Sequence, residues 1–105
     1  MFARKVCLKL RPGSAVEYSR MLESKIIPIL REQKGFYDEI SFVSGERGEA
    51  VAISLWDAAD SAEAYHRETY PAVLRALEGV IDGEPQVNTF AVSNSTIHKI
   101  PNLPR

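Results

Sequence analysis

A histidine and an arginine in the sequence suit the removal of a proton from a substrate and the binding of the resulting anion. His66 follows Tyr65 in a segment with helical spacing, and a neutral imidazole can remove a phenolic or carbon-bound proton near neutral pH. Arg4 alternates with Val6 and Leu8, so its guanidinium can hold the oxyanion that such a deprotonation creates. The alternatives are a hydrogen-bonded helix histidine and an arginine that snorkels at the end of a strand. We predict His66 as a general base and Arg4 as a substrate-binding residue.

Aromatic and amide side chains form a second group of candidates. Trp56 precedes the second helical segment, where its indole can line a pocket mouth and donate one hydrogen bond to an aromatic substrate. Tyr18, Tyr65 and Tyr70 can stack on a planar substrate, and Asn88 can bind its carbonyl group. Core packing is the alternative for the aromatic residues, and an exposed strand position is the alternative for Asn88. The predicted substrate-binding residues of this group are Trp56, Tyr65, Tyr18 and Asn88.

Composition argues against several other kinds of site and partner. The single Cys7 and the two histidines have no CxxC or HExxH spacing, so we expect no metal. The sequence also lacks a GxGxxG motif, which would indicate a nucleotide cofactor. Thirteen Lys and Arg against fourteen Asp and Glu give a net charge of -1, which argues against a nucleic-acid partner. No apolar run approaches the roughly 18–20 residues that cross a bilayer, and the start of the chain lacks a signal-peptide core. We therefore expect a cytoplasmic protein with no membrane partner.

The first half of the chain predicts two strands joined by a helix. Residues 2–10 alternate between apolar and polar side chains, as in a strand with one apolar face. Ser14 and Glu17 form an S-x-x-E capping box, which predicts a helix that begins at Ser14. Pro28 predicts a kink in this helix, and Gly35 is the expected helix C-cap. A second strand is predicted over residues 36–44.

The second half repeats this order after a hairpin. The polar connector 45–48 predicts an antiparallel hairpin to a strand over residues 49–56. Asp57 and Asp60 are the candidate N-caps of the second helix, and Pro71 predicts that this helix is divided at Tyr70–Pro71. The last strand is predicted over residues 86–93. We expect one domain, residues 1–98, and a C-terminal tail, residues 99–105.

The element order βαββαβ predicts an α+β, ferredoxin-like fold: a four-stranded antiparallel sheet with two helices on one face. The other face then needs a cover, because part of it is too apolar to remain in water. The residues that we expect on this open face are Ala3, Cys7, Ala50, Ala52, Ser54 and Trp56. A second sheet is the natural cover.

Three segments resemble the antibiotic biosynthesis monooxygenase-like (ABM) domains of the dimeric α+β barrel superfamily. They are FARKVCLKLRPG in the first strand, PILREQKGF at the first helix exit and AISLWDAADSAEAYH at residues 52–66. The resemblance spans residues 2–98. It implies a homodimer in which the sheets pair into a dimeric α+β barrel, with a pocket between sheet and helices in each subunit. Some relatives oxidise aromatic compounds with dioxygen and without metal or flavin, whereas others degrade haem.

The haem-degrading branch is disfavoured by two differences in sequence. Its members resemble one another in an asparagine on the first strand and a haem-ligating histidine late in the second helix. Residues 2–10 contain no Asn, and residues 72–77 contain Arg75 but no His. We therefore expect a monooxygenase that needs no cofactor and acts on a small aromatic or enolisable compound. The alternatives are a non-catalytic, dimeric small-molecule-binding or stress-related barrel protein, and an isomerase or lactone-handling enzyme that consumes no oxygen.

Overall fold

Four strands form one antiparallel sheet in the computed structural model, which describes residues 1–100. The strands are β1 (Phe2–Lys9), β2 (Phe36–Ser44), β3 (Glu49–Trp56) and β4 (Gln86–Ala91). Their order in the sheet is β2-β3-β1-β4, and every neighbouring pair is antiparallel. The predicted ferredoxin-like α+β fold is confirmed. Of the predicted tail 99–105, residues 101–105 lie outside the described residues.

The first helical region contains a π-helical segment where the sequence predicted a kink. It consists of α1 (Ala15–Met21), the π-helical segment Leu22–Ile26 and α2 (Ile27–Arg31). Pro28 has no N–H for the carbonyl group four residues earlier, and just before it the Ile27 N–H reaches back five residues to the Leu22 carbonyl. The helix therefore widens by one residue per turn just before the proline, where the usual hydrogen-bond ladder is interrupted.

Ser14 is the N-cap residue of α1, as predicted, but the predicted capping box does not form, and the other predicted caps lie elsewhere. The side chain of Ser14 makes no capping hydrogen bond, and Glu17 instead pairs with Arg20 at 3.0 Å. The helix that begins at Ala59 has Ala58 as its N-cap, so neither Asp57 nor Asp60 caps it. The C-cap of α2 is Glu32, not Gly35.

The second helical region is divided where the sequence predicted. It consists of α3 (Ala59–Glu68) and α4 (Tyr70–Leu77), which meet at Thr69. Pro71 lies in the first turn of α4, where its missing N–H has no helical partner to lose. The division gives Tyr70 its own helix start, one turn after His66.

The pairing of β1 with β3 determines which side chains face the helices. Directly paired residues of antiparallel strands point to the same face. The pairs on the helix side are Phe2 with Trp56, Arg4 with Ser54, Val6 with Ala52, and Leu8 with Ala50. The prediction that these four β3 residues lie on the open face is wrong. Alternation identifies the residues that share a face, but it does not identify the face that is buried.

The core lies between the sheet and the helices. Tyr18 and Trp56 are its largest fully buried side chains. The open sheet face is also apolar: Ile40 and Phe42 are each 54% exposed, and Phe90 is 52% exposed. Ala3 and Cys7 pair with Leu55 and Val51 on this face, as predicted for Ala3 and Cys7. Within residues 1–100, no helix is long and apolar enough to cross a membrane.

Candidate active site

Arg4 is a buried cation at the centre of the candidate site. Only 3% of its surface is exposed, because β1 is flanked by β3 and β4 and covered by α3. Its guanidinium carbon lies 4.1 Å from the ring centroid of Tyr70 and 5.2 Å from that of Tyr65. No salt bridge of residues 1–100 includes Arg4, and its Nε has no hydrogen-bond partner there. Desolvation lowers the pKa of Arg4, which reflects the cost of burying its charge.

His66 on α3 is the polar partner of this cation. An Arg4 nitrogen, Nη2, lies 3.0 Å from Nδ1 of His66, and the imidazole stacks on Tyr70 with ring centroids 5.3 Å apart. A guanidinium can only donate, so Nδ1 is the acceptor and the neutral imidazole carries its proton on Nε2. The structure thus brings together Arg4 and His66, two residues that the sequence singled out separately.

Two tyrosines contact the cation, and Trp56 packs against one of them. The ring centroids of Tyr65 and Tyr70 lie 6.1 Å apart, and those of Tyr65 and Trp56 lie 5.2 Å apart. Burial raises the pKa of Tyr65 to about 12, and it also raises the pKa of Tyr70. Both phenols therefore remain protonated at neutral pH and are available as hydrogen-bond donors.

Trp56 and Asn88 lie away from the two cavities next to Arg4. Trp56 has no exposed surface, and its indole N–H donates to Oγ of Ser54 at 2.9 Å. The indole ring packs against the ring of Tyr65. Asn88 pairs with Lys5, so it lies on the open face, opposite to Arg4.

Arg4 separates two cavities. One is an open cleft of about 470 Å³ between α3 and the sheet, lined by Phe2, Val87 and Thr89 from the strands and by His66 and Arg67 from the helix. The other is an internal cavity of about 50 Å³ between the sheet and the helices, and it includes the predicted site residues Tyr18 and Tyr65. The cleft is large enough for an aromatic ring system, whereas the internal cavity is not: an engineered cavity that holds benzene measures about 150 Å³.

Glu39 is a residue of this site that the sequence reasoning missed. It pairs with Ser54 across the β2–β3 ladder, faces the internal cavity and accepts a hydrogen bond from Oγ of Ser41 at 2.5 Å. Burial raises the pKa of the Glu39 carboxyl. No local signal distinguishes it from a surface glutamate, since the choice of buried face depends on how the strands pair.

Comparison with known proteins identifies the fold. No family model matches the sequence, and no curated protein is significantly similar to it. A protein of unknown function from Nitrosomonas europaea is similar with a TM-score of 0.76 and 17% identity, over 95% of this chain and 93% of that chain. The cofactor-independent oxygenase SnoaB from Streptomyces nogalater is similar with a TM-score of 0.73 and 12% identity, over 92% and 97%.

A third similar structure contains a ligand. It is the monooxygenase ActVA-Orf6 of Streptomyces coelicolor in complex with nanaomycin D, with a TM-score of 0.74 and 16% identity, over 93% of this chain and 92% of that chain. Together these structures establish that the chain has the fold of the antibiotic biosynthesis monooxygenase structures, as its sequence predicted.

Proposed function

We propose that this chain is a cofactor-independent monooxygenase that acts on a small aromatic or enolisable compound bound in the cleft beside Arg4 and His66. The observation that carries the proposal is the buried, uncompensated charge of Arg4. Removing an ion from water costs several kcal/mol, and within residues 1–100 no salt bridge offsets that cost; the guanidinium there contacts two aromatic faces and an imidazole. An oxyanion formed on the substrate supplies the missing counter-charge.

His66 and Arg4 act as an acceptor and a donor in the first step. In the free protein the lone pair of Nδ1 accepts a hydrogen bond from Arg4. A phenolic or enolic O–H of the substrate takes the place of the guanidinium on Nδ1 and transfers its proton there. Arg4 then pairs with the oxygen that has become negative. The negative charge extends onto the neighbouring carbon, which becomes electron-rich.

Dioxygen is the only co-reactant that this scheme needs. The carbanion transfers an electron to dioxygen, the two radicals combine in a new C–O bond, and the peroxide takes the proton from His66. The hydroperoxide then loses water and leaves a carbonyl group. A CH₂ group and O₂ thus become C=O and H₂O, and the substrate carbon supplies all the electrons.

Oxygen uptake with hydroxylated anthrones tests the proposal. The rate above the protein-free background should persist in the presence of a metal chelator, and heavy-isotope dioxygen should place one labelled atom in the product. The variant His66→Ala should lower this rate by about 10²–10⁴-fold, the usual contribution of a general base. His98→Ala is the matched control, because His98 lies near Asp38 and Tyr37 on β2. Equal rates in wild type and His66→Ala would overturn the proposal.

A non-catalytic small-molecule-binding protein is the second candidate. It is favoured by one observation: Nδ1 of His66 is already occupied by Arg4, so the free protein has no unoccupied base at this position. Such a protein binds anionic aromatic compounds but takes up no oxygen. Ligand binding without turnover for any anthrone tested would support it.

We further propose that two copies pack through their open sheet faces. The apolar residues Ile40, Phe42 and Phe90 are half-exposed there. Lys9 and Glu49 pair on the same face, so it carries charges of both signs, which can pair with each other in a two-fold contact between identical surfaces. Sedimentation at micromolar concentration should give a dimer, and Phe42→Asp should give a monomer. A monomeric wild type would contradict this arrangement.

A further inference from the structure

We infer that the internal cavity is a dioxygen site, separate from the cleft that holds the substrate. The inference builds on the proposed monooxygenase, but it makes a claim about a different space. The cavity measures about 50 Å³ and lies between the sheet and both helical regions, among side chains that are mostly buried. A cavity needs about 10–15 Å³ to hold one water, and one of about 150 Å³ holds benzene, so this cavity suits a molecule of a few heavy atoms and no aromatic ring.

The walls of the cavity favour a neutral, apolar molecule. Aliphatic side chains from the strands and the helices form much of its lining, among them Val6, Leu8, Leu22, Ile26, Val73 and Leu77. Five of these six are less than 9% exposed, and Leu22 is 9% exposed. The aliphatic part of the cavity is similar to engineered cavities lined by Leu, Ile and Phe, which stay dry and take up gases such as xenon. Dioxygen, which is small and uncharged, is the reactant of the proposed chemistry that fits these walls.

One end of the cavity carries two donors without partners. Nε of Arg4 and the hydroxyl of Tyr70 are buried, and neither is within hydrogen-bond distance of a partner among residues 1–100, although the nearby guanidinium partly offsets the effect of burial on the pKa of Tyr70. The residues are 3% and 7% exposed, so water does not readily reach them. A buried polar group left unpaired costs about 1–3 kcal/mol, and two at one end of a cavity suggest that a ligand completes them.

Reduction of dioxygen explains why these donors are idle in the free protein. Neutral dioxygen is a poor acceptor, but superoxide and the peroxide that follows carry negative charge on oxygen. Arg4 and Tyr70 then engage an anion that exists only after electron transfer. Interactions that strengthen along the reaction lower its barrier, whereas interactions with the ground state do not.

The position of Arg4 connects the two reactants. Arg4 lines both the substrate cleft and the internal cavity. His66 lines the cleft, whereas Tyr70 lines the cavity. The substrate anion and dioxygen thus approach the same guanidinium from two sides, and the C–O bond forms after superoxide has moved past Arg4 into the cleft.

Glu39 is the one acid among the described residues that line the cavity. As a carboxylate it would repel superoxide. Burial raises its pKa, which favours the neutral acid relative to an exposed glutamate, and Ser41 donates a hydrogen bond to it. The remaining tyrosines at this end, Tyr18 and Tyr65, are neutral phenols.

Xenon tests the site without any need for activity. Crystals of the wild-type protein pressurised with xenon should contain one xenon atom between Val6 and Val73. Ala52, which lines the cavity from β3, provides a variant that fills it. In Ala52→Leu the xenon should be lost, whereas Ala72→Leu, the same change at an exposed position of α4, should keep it. Wild-type crystals with no xenon in this cavity would overturn the inference.

Kinetics provide the second measurement. Ala52→Leu should raise the KM for dioxygen about tenfold and leave the affinity for an anthrone unchanged. Tyr70→Phe should lower kcat by about 10²-fold, as the loss of one oxyanion donor does, and should keep the xenon site. If oxygen uptake persists while Ala52→Leu leaves the KM for dioxygen unchanged, the dioxygen site fails and the monooxygenase stands. If xenon binds but no anthrone is oxidised, the monooxygenase fails and an apolar gas site remains.

Discussion

The guanidinium of Arg4 donates a hydrogen bond to Nδ1 of His66 at 3.0 Å, and no carboxylate of residues 1–100 is within salt-bridge distance of it. A buried charge is therefore held by neutral groups. A protein that needed Arg4 only for packing would be more stable with an apolar side chain there, so this pair has consequences for stability as well as for chemistry.

Replacement of Arg4 by methionine should separate stability from function. Methionine fills a similar volume without the desolvation cost, while the contacts with Tyr65 and Tyr70 become apolar. We expect Arg4→Met to raise the free energy of unfolding by about 1 kcal/mol and to abolish oxygen uptake. Urea denaturation measures the first effect, with Arg20→Met on the exposed face of α1 as the control. A loss of several kcal/mol would indicate that Arg4 is structural.

Glu39 should make stability depend on pH. The folded chain holds the Glu39 proton more tightly than the unfolded chain does, because burial raises the pKa from its ordinary value of 4.5. The folded state therefore binds more protons in the window above 4.5, and the free energy of unfolding falls as the pH rises through it. Glu39→Gln should raise the thermal midpoint at neutral pH and leave it unchanged below pH 4.5.

The control for this experiment is Glu46→Gln in the exposed turn between β2 and β3. It should not change the thermal midpoint at either pH. A midpoint of Glu39→Gln that follows wild type at neutral pH would mean that the carboxylate is well solvated in the folded state.

Tyr18 and Tyr65 should resist ionisation in alkali. Burial raises the pKa of each phenol from 10.0 to about 12. Since the folded state holds these protons more tightly, its stability is full below pH 10 and falls between pH 10 and pH 12, by ~3 kcal/mol for each tyrosine. Phenolate absorbance should rise incompletely until the chain unfolds. Tyr18→Phe should shift that unfolding to higher pH, and complete ionisation of all tyrosines in a folded chain would contradict the assignment.

Gly35 should tolerate no side chain. Its φ is +82°, and a Cβ would clash with Oδ1 of Asp57 and with the side chain of Ser61. Gly35→Ala should lower the free energy of unfolding by about 3 kcal/mol, from the left-handed backbone and the overpacking together. Gly13→Ala, with φ +76° and no atom within 4 Å, should cost only about 1–2 kcal/mol. At Gly79 the φ is not in the left-handed region and no atom lies within 4 Å of a Cβ, so Gly79→Ala should have almost no effect. Urea denaturation measures all three variants.

Much of the fold follows from local patterns in the sequence. The order of elements, the β2–β3 hairpin and the division at Pro71 each depend on a few neighbouring residues. The π-helical segment and the buried face of β3 do not. The former is one of several ways in which a helix accommodates Pro28, and the latter depends on pairing with β1, which is far away in sequence.

The candidate site likewise contains residues that the sequence identifies and residues that only the fold identifies. Arg4 and His66 were recognisable from residue type and helix or strand position, but their contact spans 62 residues and depends on the fold. Glu39 carries no local sign of burial, and Asn88 has the right chemistry on the opposite face. Alternation along a strand does not show whether Glu39 or Asn88 faces the helices, because that depends on the register of the sheet.

The single tryptophan of the sequence lies with its ring 5.2 Å from Tyr65, the residue whose own ring supports Arg4. Trp56 is thus a built-in optical reporter: its emission arises from one indole, shielded from solvent and one side chain away from the guanidinium. Titrations with coloured or colourless compounds can be followed by fluorescence without any label, and an unchanged spectrum would indicate that a compound binds elsewhere on the molecule.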